Sequence, residues 1–268
     1  TNGRVKIEHY PSETLHPLAQ AYDSLRGGVT DIAWISIGSY PGVFPLYEVT
    51  QLPFTLGPSP GKIEGQLVSA GQINSYICQE LYETTPEIQA EWSKIKVLLC
   101  HTGSGRILFT VKKQIRNLND LKGSKIIAPG GPPSEMLKSL GAVPITAAPG
   151  DYYTVMEKGT ADGVSYAWAG MESYRLFEVC RYYTELPNPG SAYAKGMNLE
   201  KWASIPADIQ KQIMSVSGKY GARFIGEAAW GFDEKKVILE NVAKQGLTVT
   251  EVKLDPGELD KMVQIGGK

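Results

Sequence analysis

The chain has 268 residues, of which 42% are apolar and 21% are charged, which is enough for one large or two medium globular domains. Its formal net charge is −1 with acidic and basic residues mixed throughout, so neither nucleic acid nor an anionic membrane is favoured as a partner. No apolar run approaches the roughly 20 residues that span a bilayer, and no basic-then-apolar signal segment opens the sequence.

The first part of the sequence alternates between strand and helix patterns. Apolar Val5 and Ile7 alternate with charged neighbours, which predicts a strand at residues 4–9. The elements that follow are a helix at 14–25, a strand at 30–37, a short element at 48–54, helices at 66–83 and 86–93, and a strand at 95–101.

The alternation then starts a second time. The predicted elements are strands at 106–111 and 125–128, a helix at 134–140, a strand at 144–147, a helix at 152–158, a strand after Gly163, a helical stretch at 171–179, long helical structure at 207–245 with a break near Gly231, and a strand at 247–252. Strands that alternate with helices favour parallel or mixed sheets. We therefore expect two α/β lobes: residues 1–104 with 195–268, and residues 105–194, joined by hinges near 101–105 and 189–197.

The stretch 150–170 contains the main candidate site residues. Gly159 ends a helix, and a strand leaves Asp162-Gly163, so Ser165, Tyr166 and Trp168 should lie at a strand exit, where open α/β sheets bind ligands. Trp34 and Tyr153 lie near other strand ends. An aromatic pocket with few polar groups is typical of a small-molecule site. The aromatic residues on predicted helices are instead expected to serve packing: Trp92, Tyr152, Trp202 and Trp230.

Arg106 is the candidate for an anionic ligand, because a guanidinium that enters an apolar strand needs an acceptor. Either it holds a ligand carboxylate, or it pairs with an acidic side chain at the hinge. A second anion site is the loop 128–134, where Gly131 allows close backbone approach and precedes a helix. Pro132 and Pro133 donate no N–H, and the glycine spacing does not match a nucleotide fingerprint. The alternative is an ordinary strand–helix turn.

Other reactive residue types form no site pattern. The cysteines, Cys78, Cys100 and Cys180, are isolated in apolar surroundings, which is typical of buried structural thiols. The three histidines lack metal-ligand spacing, and Ser104 has no evident partner base, so we expect neither a metal, a cofactor nor a serine nucleophile.

The stretch 150–179 resembles a signature of the solute-binding proteins of TRAP transporters. The matching positions are Tyr153, Met156, Gly159, Asp162, Gly163 and Glu178. Further fragments resemble the family in the same order: residues 1–7 with 10–12, 25–31, 41–45 with 52–54, 117–123, and 197–198 with 202–210.

Two departures from the family pattern carry consequences. Family members usually have a further strand and helix before the segment that matches residues 1–7, so the sequence is expected to be incomplete at its N-terminus. They also usually have a carboxylate-binding arginine where this chain has Ile127, whereas many have a second pocket arginine at the position of Arg106. Isoleucine cannot form a charge-assisted pair. The site at Ile127 therefore does not favour short dicarboxylates.

The resemblance implies a two-lobed, periplasmic-binding-protein-like α/β fold with a hinge, mixed sheets flanked by helices and a long C-terminal helical region. It further implies a periplasmic protein that captures a small organic acid and delivers it to a TRAP membrane permease. The aromatic candidates favour an apolar or aromatic monocarboxylate. The alternatives are an enzyme on a two-lobed scaffold, against which the lack of a catalytic constellation counts, and a ligand-sensing domain of a receptor.

Overall fold

The computed structural model describes residues 3–11, 13–53, 55–56, 59–103, 105–188 and 190–266. The strands are β1 (Ile32–Ser36), β2 (Gly61–Ile63), β3 (Gln66–Val68), β4 (Lys96–Thr102), β5 (Arg106–Thr110), β6 (Lys125–Ile127), β7 (Val143–Ile145), β8 (Gly163–Tyr166), β9 (Tyr182–Asn188), β10 (Ala192–Met197) and β11 (Thr250–Glu251). The α-helices are α1 (Ala21–Arg26), α2 (Ala70–Thr84), α3 (Pro86–Glu91), α4 (Leu118–Leu121), α5 (Pro132–Ser139), α6 (Tyr152–Glu157), α7 (Trp168–Ser173), α8 (Leu199–Ser204), α9 (Ala207–Ser215), α10 (Gly218–Trp230), α11 (Glu234–Lys244) and α12 (Glu258–Gly266). Short 3₁₀ turns lie at Leu18–Gln20, Ile37–Ser39, Tyr47–Gln51, Pro149–Asp151 and Leu176–Glu178.

Two main sheets divide the described residues into two lobes. The first lobe contains a three-stranded antiparallel sheet in the order β1-β10-β4. The second contains a six-stranded mixed sheet in the order β11-β9-β5-β8-β6-β7. The expected α/β fold with mixed sheets and flanking helices is confirmed.

Helices α2 and α10 of the first lobe cross at a contact made by two glycines. Helix α2 begins at a capping box, in which Ser69 and Gln72 satisfy each other's backbone N–H groups. A Cβ added at Gly71 of α2 would lie 2.6 Å from the carbonyl oxygen of Gly226 on α10, and one added at Gly226 would lie 2.6 Å from that of Gly71. Only glycine permits this backbone approach.

Each lobe has its own apolar core. The first core includes Phe44 stacked on Trp92, with ring centroids 4.0 Å apart, and the thiols of Cys78 and Cys100. The second lies on the six-stranded sheet and includes Phe109, Phe177 and Cys180. The expectation of three buried, unpaired cysteines is confirmed.

The chain crosses from one lobe to the other in the segment between β4 and β5 and again in the segment between β9 and β10. A backbone hydrogen bond joins these two connecting segments, in which Gly103 N donates to Ser191 O at 2.9 Å. Both connecting segments lie in the stretches where the sequence predicts hinges. A third connecting segment follows Gly231, where the predicted helix break is confirmed between α10 and α11.

The C-terminal segment differs from the expected division of the chain. Residues 195–268 were assigned to the first lobe, yet α11 packs on α7, α12 packs on α5, and β11 pairs with β9 of the second lobe. The apolar faces of α11 and α12 supply Ile238, Val242 and Met262 to cores on the second sheet. The segment after Gly231 thus returns to the second lobe.

Local predictions were wrong in three places. Residues 4–9 form no strand, and Ile7 is 71% exposed, since the described residues offer this segment no strand to pair with. The predicted helix at 66–83 begins as β3. Strands β9 and β10 were not predicted at all.

Candidate ligand-binding site

Arg106 begins β5 at a bulge in its pairing with β9, and its side chain lies between the two lobes. The residue is only 4% exposed. Its Nη1 donates to the backbone carbonyl of Ser165 at 2.6 Å, and its Nη2 donates to the hydroxyl of Ser191. Its Nε is buried and has no acceptor among the described residues. Both observed acceptors are neutral.

The ion-pair alternative for Arg106 is not observed in the described part of the chain. No acidic side chain there forms a salt bridge with Arg106, although twelve ion pairs form elsewhere, chiefly on the surface. A buried cation with only neutral partners is costly unless an anion joins it. The guanidinium thus keeps a buried N–H group without an acceptor in the described part of the chain.

Tyrosine rings surround the guanidinium. Its central carbon lies 5.8 Å from the ring centroid of Tyr166, which packs edge-on against Tyr152 at 5.4 Å. Burial raises the pKa of Tyr166, and it raises the pKa of Tyr152 to about 12 despite the opposing charge of Arg106. Ionised Tyr193 would raise the pKa of both, so this first-lobe residue lies within electrostatic reach. With their pKa values raised, the hydroxyls of Tyr152 and Tyr166 stay neutral donors at physiological pH.

The first lobe contributes a second aromatic group, made of Trp34, His101, Tyr193 and Trp230. The Trp34 ring lies 4.5 Å from that of Tyr193, and Trp230 stacks on His101 at 5.2 Å. The Trp34 indole N–H donates to His101 Nε2 at 3.0 Å, so the proton of the neutral imidazole sits on Nδ1. Burial and the charge of Lys195 lower the pKa of His101 to about 3. This group presents apolar surface, with Trp34 40% exposed.

The two lobes also meet through backbone. A Cβ added at Gly38 would lie 3.2 Å from Cβ of Pro129, and one added at Gly130 would lie 3.3 Å from Cγ of Pro41. Gly38 and Pro41 belong to the first lobe, whereas Pro129 and Gly130 follow β6 of the second. The cleft is narrow here, and glycine on both sides permits the approach.

Three predicted site residues do come together at the cleft. Ser165 and Tyr166, at the exit of β8, both contact Arg106. Trp34 lies across from them at the first-lobe aromatic group, linked through Tyr193.

Three other predicted site residues lie elsewhere. Trp168 is 4% exposed and packs in the second core against Phe109, Phe177 and Tyr183. Ile127 is fully buried in the same core. Tyr153 is half-buried and packs against the second core, and the charges of Glu157 and Glu178 reach its hydroxyl. The neighbouring Tyr152, rather than Tyr153, lies within electrostatic reach of Arg106.

The helix that follows the loop at Gly131 offers an anion fewer donors than the sequence predicts. Gly131 has φ 75°, which favours glycine, and it caps α5. Pro132 and Pro133 have no N–H, while Ser134 N and Glu135 N both donate to Gly131 O. The first turn of α5 thus has no free donor for a ligand, and the turn alternative describes it better.

Several residues of the site were not predicted. Tyr152 was assigned to packing, although its spacing from buried Met156 places both on one helix face. Ser191 and Tyr193 lie in a stretch interpreted only as a hinge. Glu13 also reaches this region: its Oε1 is buried without a partner among the described residues, and its charge raises the pKa of Tyr174 and Tyr152. No sequence pattern marks these long-range neighbours.

The described residues contain no cluster of His, Cys, Asp or Glu side chains suited to holding a metal ion. No helix among them combines the length and the apolar character that a membrane span needs. Ser104 lies outside the described residues.

Comparisons with known proteins identify the family of the chain. The sequence profile described as bacterial extracellular solute-binding protein, family 7, matches residues 1–264. A relative from Comamonas testosteroni, named outer membrane transporter protein TsaT, is 28% identical over 247 residues, which are 91% of this chain and 69% of that protein. The 2,3-diketo-L-gulonate-binding periplasmic protein YiaO of Escherichia coli is 22% identical over 89% of this chain and 69% of its own length.

A solved structure has the same fold. The TRAP solute-binding protein from Rhodoferax ferrireducens, crystallised with copurified benzoate, superimposes with a TM-score of 0.86 at 25% identity, covering 99% of this chain and 79% of that one. The resemblance to TRAP solute-binding proteins is thus confirmed: the chain belongs to the bacterial extracellular solute-binding protein family 7.

Proposed function

We propose that this chain binds a small monocarboxylate, of apolar or aromatic character, in the cleft between its two lobes. The observation that carries the proposal is the environment of Arg106, which is buried with two neutral acceptors, an unpaired Nε and no acidic partner in the described part of the chain. A ligand carboxylate would supply the missing charge and accept the unused N–H.

The surroundings of Arg106 favour one carboxylate rather than two. Ile127, at the place of the usual family arginine, is enclosed in the core and offers no second cation.

Aromatic rings suit a flat apolar ligand body. Tyr152 and Tyr166 lie on the Arg106 side, and Tyr193 and Trp34 lie on the other. Rings that bury or stack on a ligand ring contribute apolar area and edge-to-face contacts. The benzoate found in the Rhodoferax ferrireducens protein is a ligand of this shape.

The transport role rests on the family. The chain would act outside the cytoplasm, capture the acid by closing its two lobes, and deliver it to a TRAP membrane permease, without a covalent step. The lobes are joined by short connecting segments that contain Gly103 and Ser191, which suits a hinge motion. An enzyme or a receptor's sensor domain on the same scaffold remains the competing function.

A ligand panel tests the proposal. Thermal unfolding is followed with benzoate, phenylacetate, pyruvate, succinate and benzamide, and each mixture is then analysed by mass spectrometry. Benzoate or another monocarboxylate should raise the midpoint in a concentration-dependent way and be recovered unchanged. Stabilisation by succinate alone would contradict the monocarboxylate preference, and conversion of a stabilising acid would favour an enzyme.

A further inference from the structure

Gln51 ends the 3₁₀ turn Tyr47–Gln51 of the first lobe and is 1% exposed. Its Oε1 accepts a hydrogen bond from the backbone N–H of Ala192 at 3.4 Å. Its Nε2 is buried and has no partner among the described residues. A buried amide with two unused N–H donors is unfavourable unless something else accepts them.

The orientation of this amide follows from its neighbour. The backbone N–H of Ala192 can only donate, so the oxygen of Gln51 must face it and the NH₂ group must point elsewhere. A Cβ added at Gly38 would lie 3.7 Å from Oε1 and 3.2 Å from Cβ of Pro129 in the second lobe. The amide of Gln51 therefore lies where the two lobes meet.

The unused donors of Gln51 and Arg106 flank the same short piece of chain. Arg106 donates to the Ser191 side chain, and Gln51 accepts from the next residue, Ala192. Each of the two side chains retains a buried N–H without an acceptor. One comes from the first lobe and the other from the second.

Gln79, another buried glutamine of the first lobe, has the hydrogen bonds expected of an amide with a purely structural role. Gln79 is 3% exposed, and its Oε1 accepts from Cys100 N at 2.6 Å while its Nε2 donates to Glu83 Oε1 at 2.7 Å. Both ends of that amide are used within the protein. Gln51 lacks this second partner, so its NH₂ group is available to a ligand.

We propose that Gln51 is a second anchor of the ligand carboxylate, donating from Nε2 to one carboxylate oxygen while Arg106 holds the other. The proposal rests on the proposed function of the cleft and adds a residue from the opposite lobe. A carboxylate held from both sides ties the lobes together, so binding favours the closed arrangement.

The test compares Gln51 variants by calorimetry with benzoate and benzamide. Q51L removes the donor, and Q51E keeps an oxygen for Ala192 N while replacing the NH₂ by an oxygen. Both should weaken benzoate binding at least tenfold. Q51E should also shift the preference towards benzamide, whose NH₂ group can donate to the new carboxylate, and a purely structural role would not change that preference.

Q79L is the matched control, and thermal unfolding of every variant checks that it is folded. Q79L should lower the unfolding midpoint but keep the benzoate affinity within about twofold. If R106A loses affinity while Q51L and Q51E bind benzoate like the wild type, the second anchor is refuted and the proposed function stands. If the wild type binds neither benzoate nor any acid of the panel, both fail.

Discussion

The side chain of Arg106 reaches from the six-stranded sheet to Ser191, the residue immediately before β10 of the three-stranded sheet. Its other hydrogen bond, to the backbone carbonyl of Ser165, lies within its own sheet. The guanidinium therefore links the end of β8 in the second lobe to the segment that connects β9 to β10 of the first lobe. A ligand that joins it would contact one of the two stretches where the sequence predicts a hinge.

Replacing Arg106 by alanine should weaken carboxylate binding by about 1.5–3 kcal/mol, which is the range of hydrogen bonds to charged groups. Calorimetry with the acid identified in the panel measures the loss. R116A serves as the control, because Arg116 donates to Gln114 on the surface. Unchanged affinity in R106A would mean that the anchor lies elsewhere.

Tyr152 and Tyr153 form a second matched pair. Y152A should reduce ligand affinity, because it removes a ring that packs on Tyr166 beside Arg106, whereas Y153A should leave affinity unchanged. Both are compared by titration calorimetry. The reverse order of effects would restore the sequence-based assignment of Tyr153.

Trp168 should matter for stability rather than for binding. W168A empties a site enclosed by Phe109, Phe177 and Tyr183, so it should lower the free energy of unfolding by about 3–5 kcal/mol. W34A should cost less, since Trp34 is 40% exposed. Urea unfolding gives both values. A W168A protein of native stability with weakened ligand binding would show that the indole belongs to the site.

His101 should make stability depend on pH. In the unfolded chain a histidine has a pKa of about 6.5, whereas in the folded protein the pKa of His101 is about 3. The unfolded chain thus gains a proton first as the pH falls. The contribution of His101 is complete above pH 6.5 and should decrease by about 2 kcal/mol between pH 7 and pH 5.

H101Q isolates this effect, because its amide oxygen can still accept from the Trp34 indole. Urea unfolding across this pH range should show a shallower loss of stability in H101Q than in the wild type. Identical slopes would indicate that His101 is protonated in the folded protein.

The helix crossing of the first lobe should tolerate no added methyl group. G71A places a Cβ against backbone oxygens of Gly226 and Trp230, so it should destabilise the protein by at least about 1–3 kcal/mol. G150A is the control, because nothing lies within 4 Å of a Cβ there. Equal melting midpoints for the two variants would mean that α2 and α10 do not cross so closely.

Much of the fold was predictable because its signals are local. A few neighbouring residues are enough to recognise the apolar runs of β4 and β5 and the glycine that ends α6. Strand β10 lacks the usual signal: its residues 192–197 are nearly all buried, and although small residues alternate with large ones, apolar residues do not alternate with polar ones. It is the central strand of its sheet, and only its partners on both sides specify it.

The candidate site could be predicted to the strand but not always to the residue. Ser165 and Tyr166 were placed at the strand exit because β8 ends there. Trp168 was misplaced because it begins α7, just past the end of β8, and its ring packs back into the core. Gln51 and Ser191 carry no local signal, since their importance depends on Ala192 and Arg106, which are far away in sequence.

The three cysteines are distributed unequally between the two cores. Cys78 and Cys100 lie in the first lobe and Cys180 in the second, and burial raises the pKa of all three thiols. The thiolate is the reactive form, so an alkylating reagent can modify each cysteine only when the core around it unfolds locally. Pulsed alkylation followed by peptide mass spectrometry would therefore measure the rate of local unfolding in each lobe separately, with no label introduced into the chain.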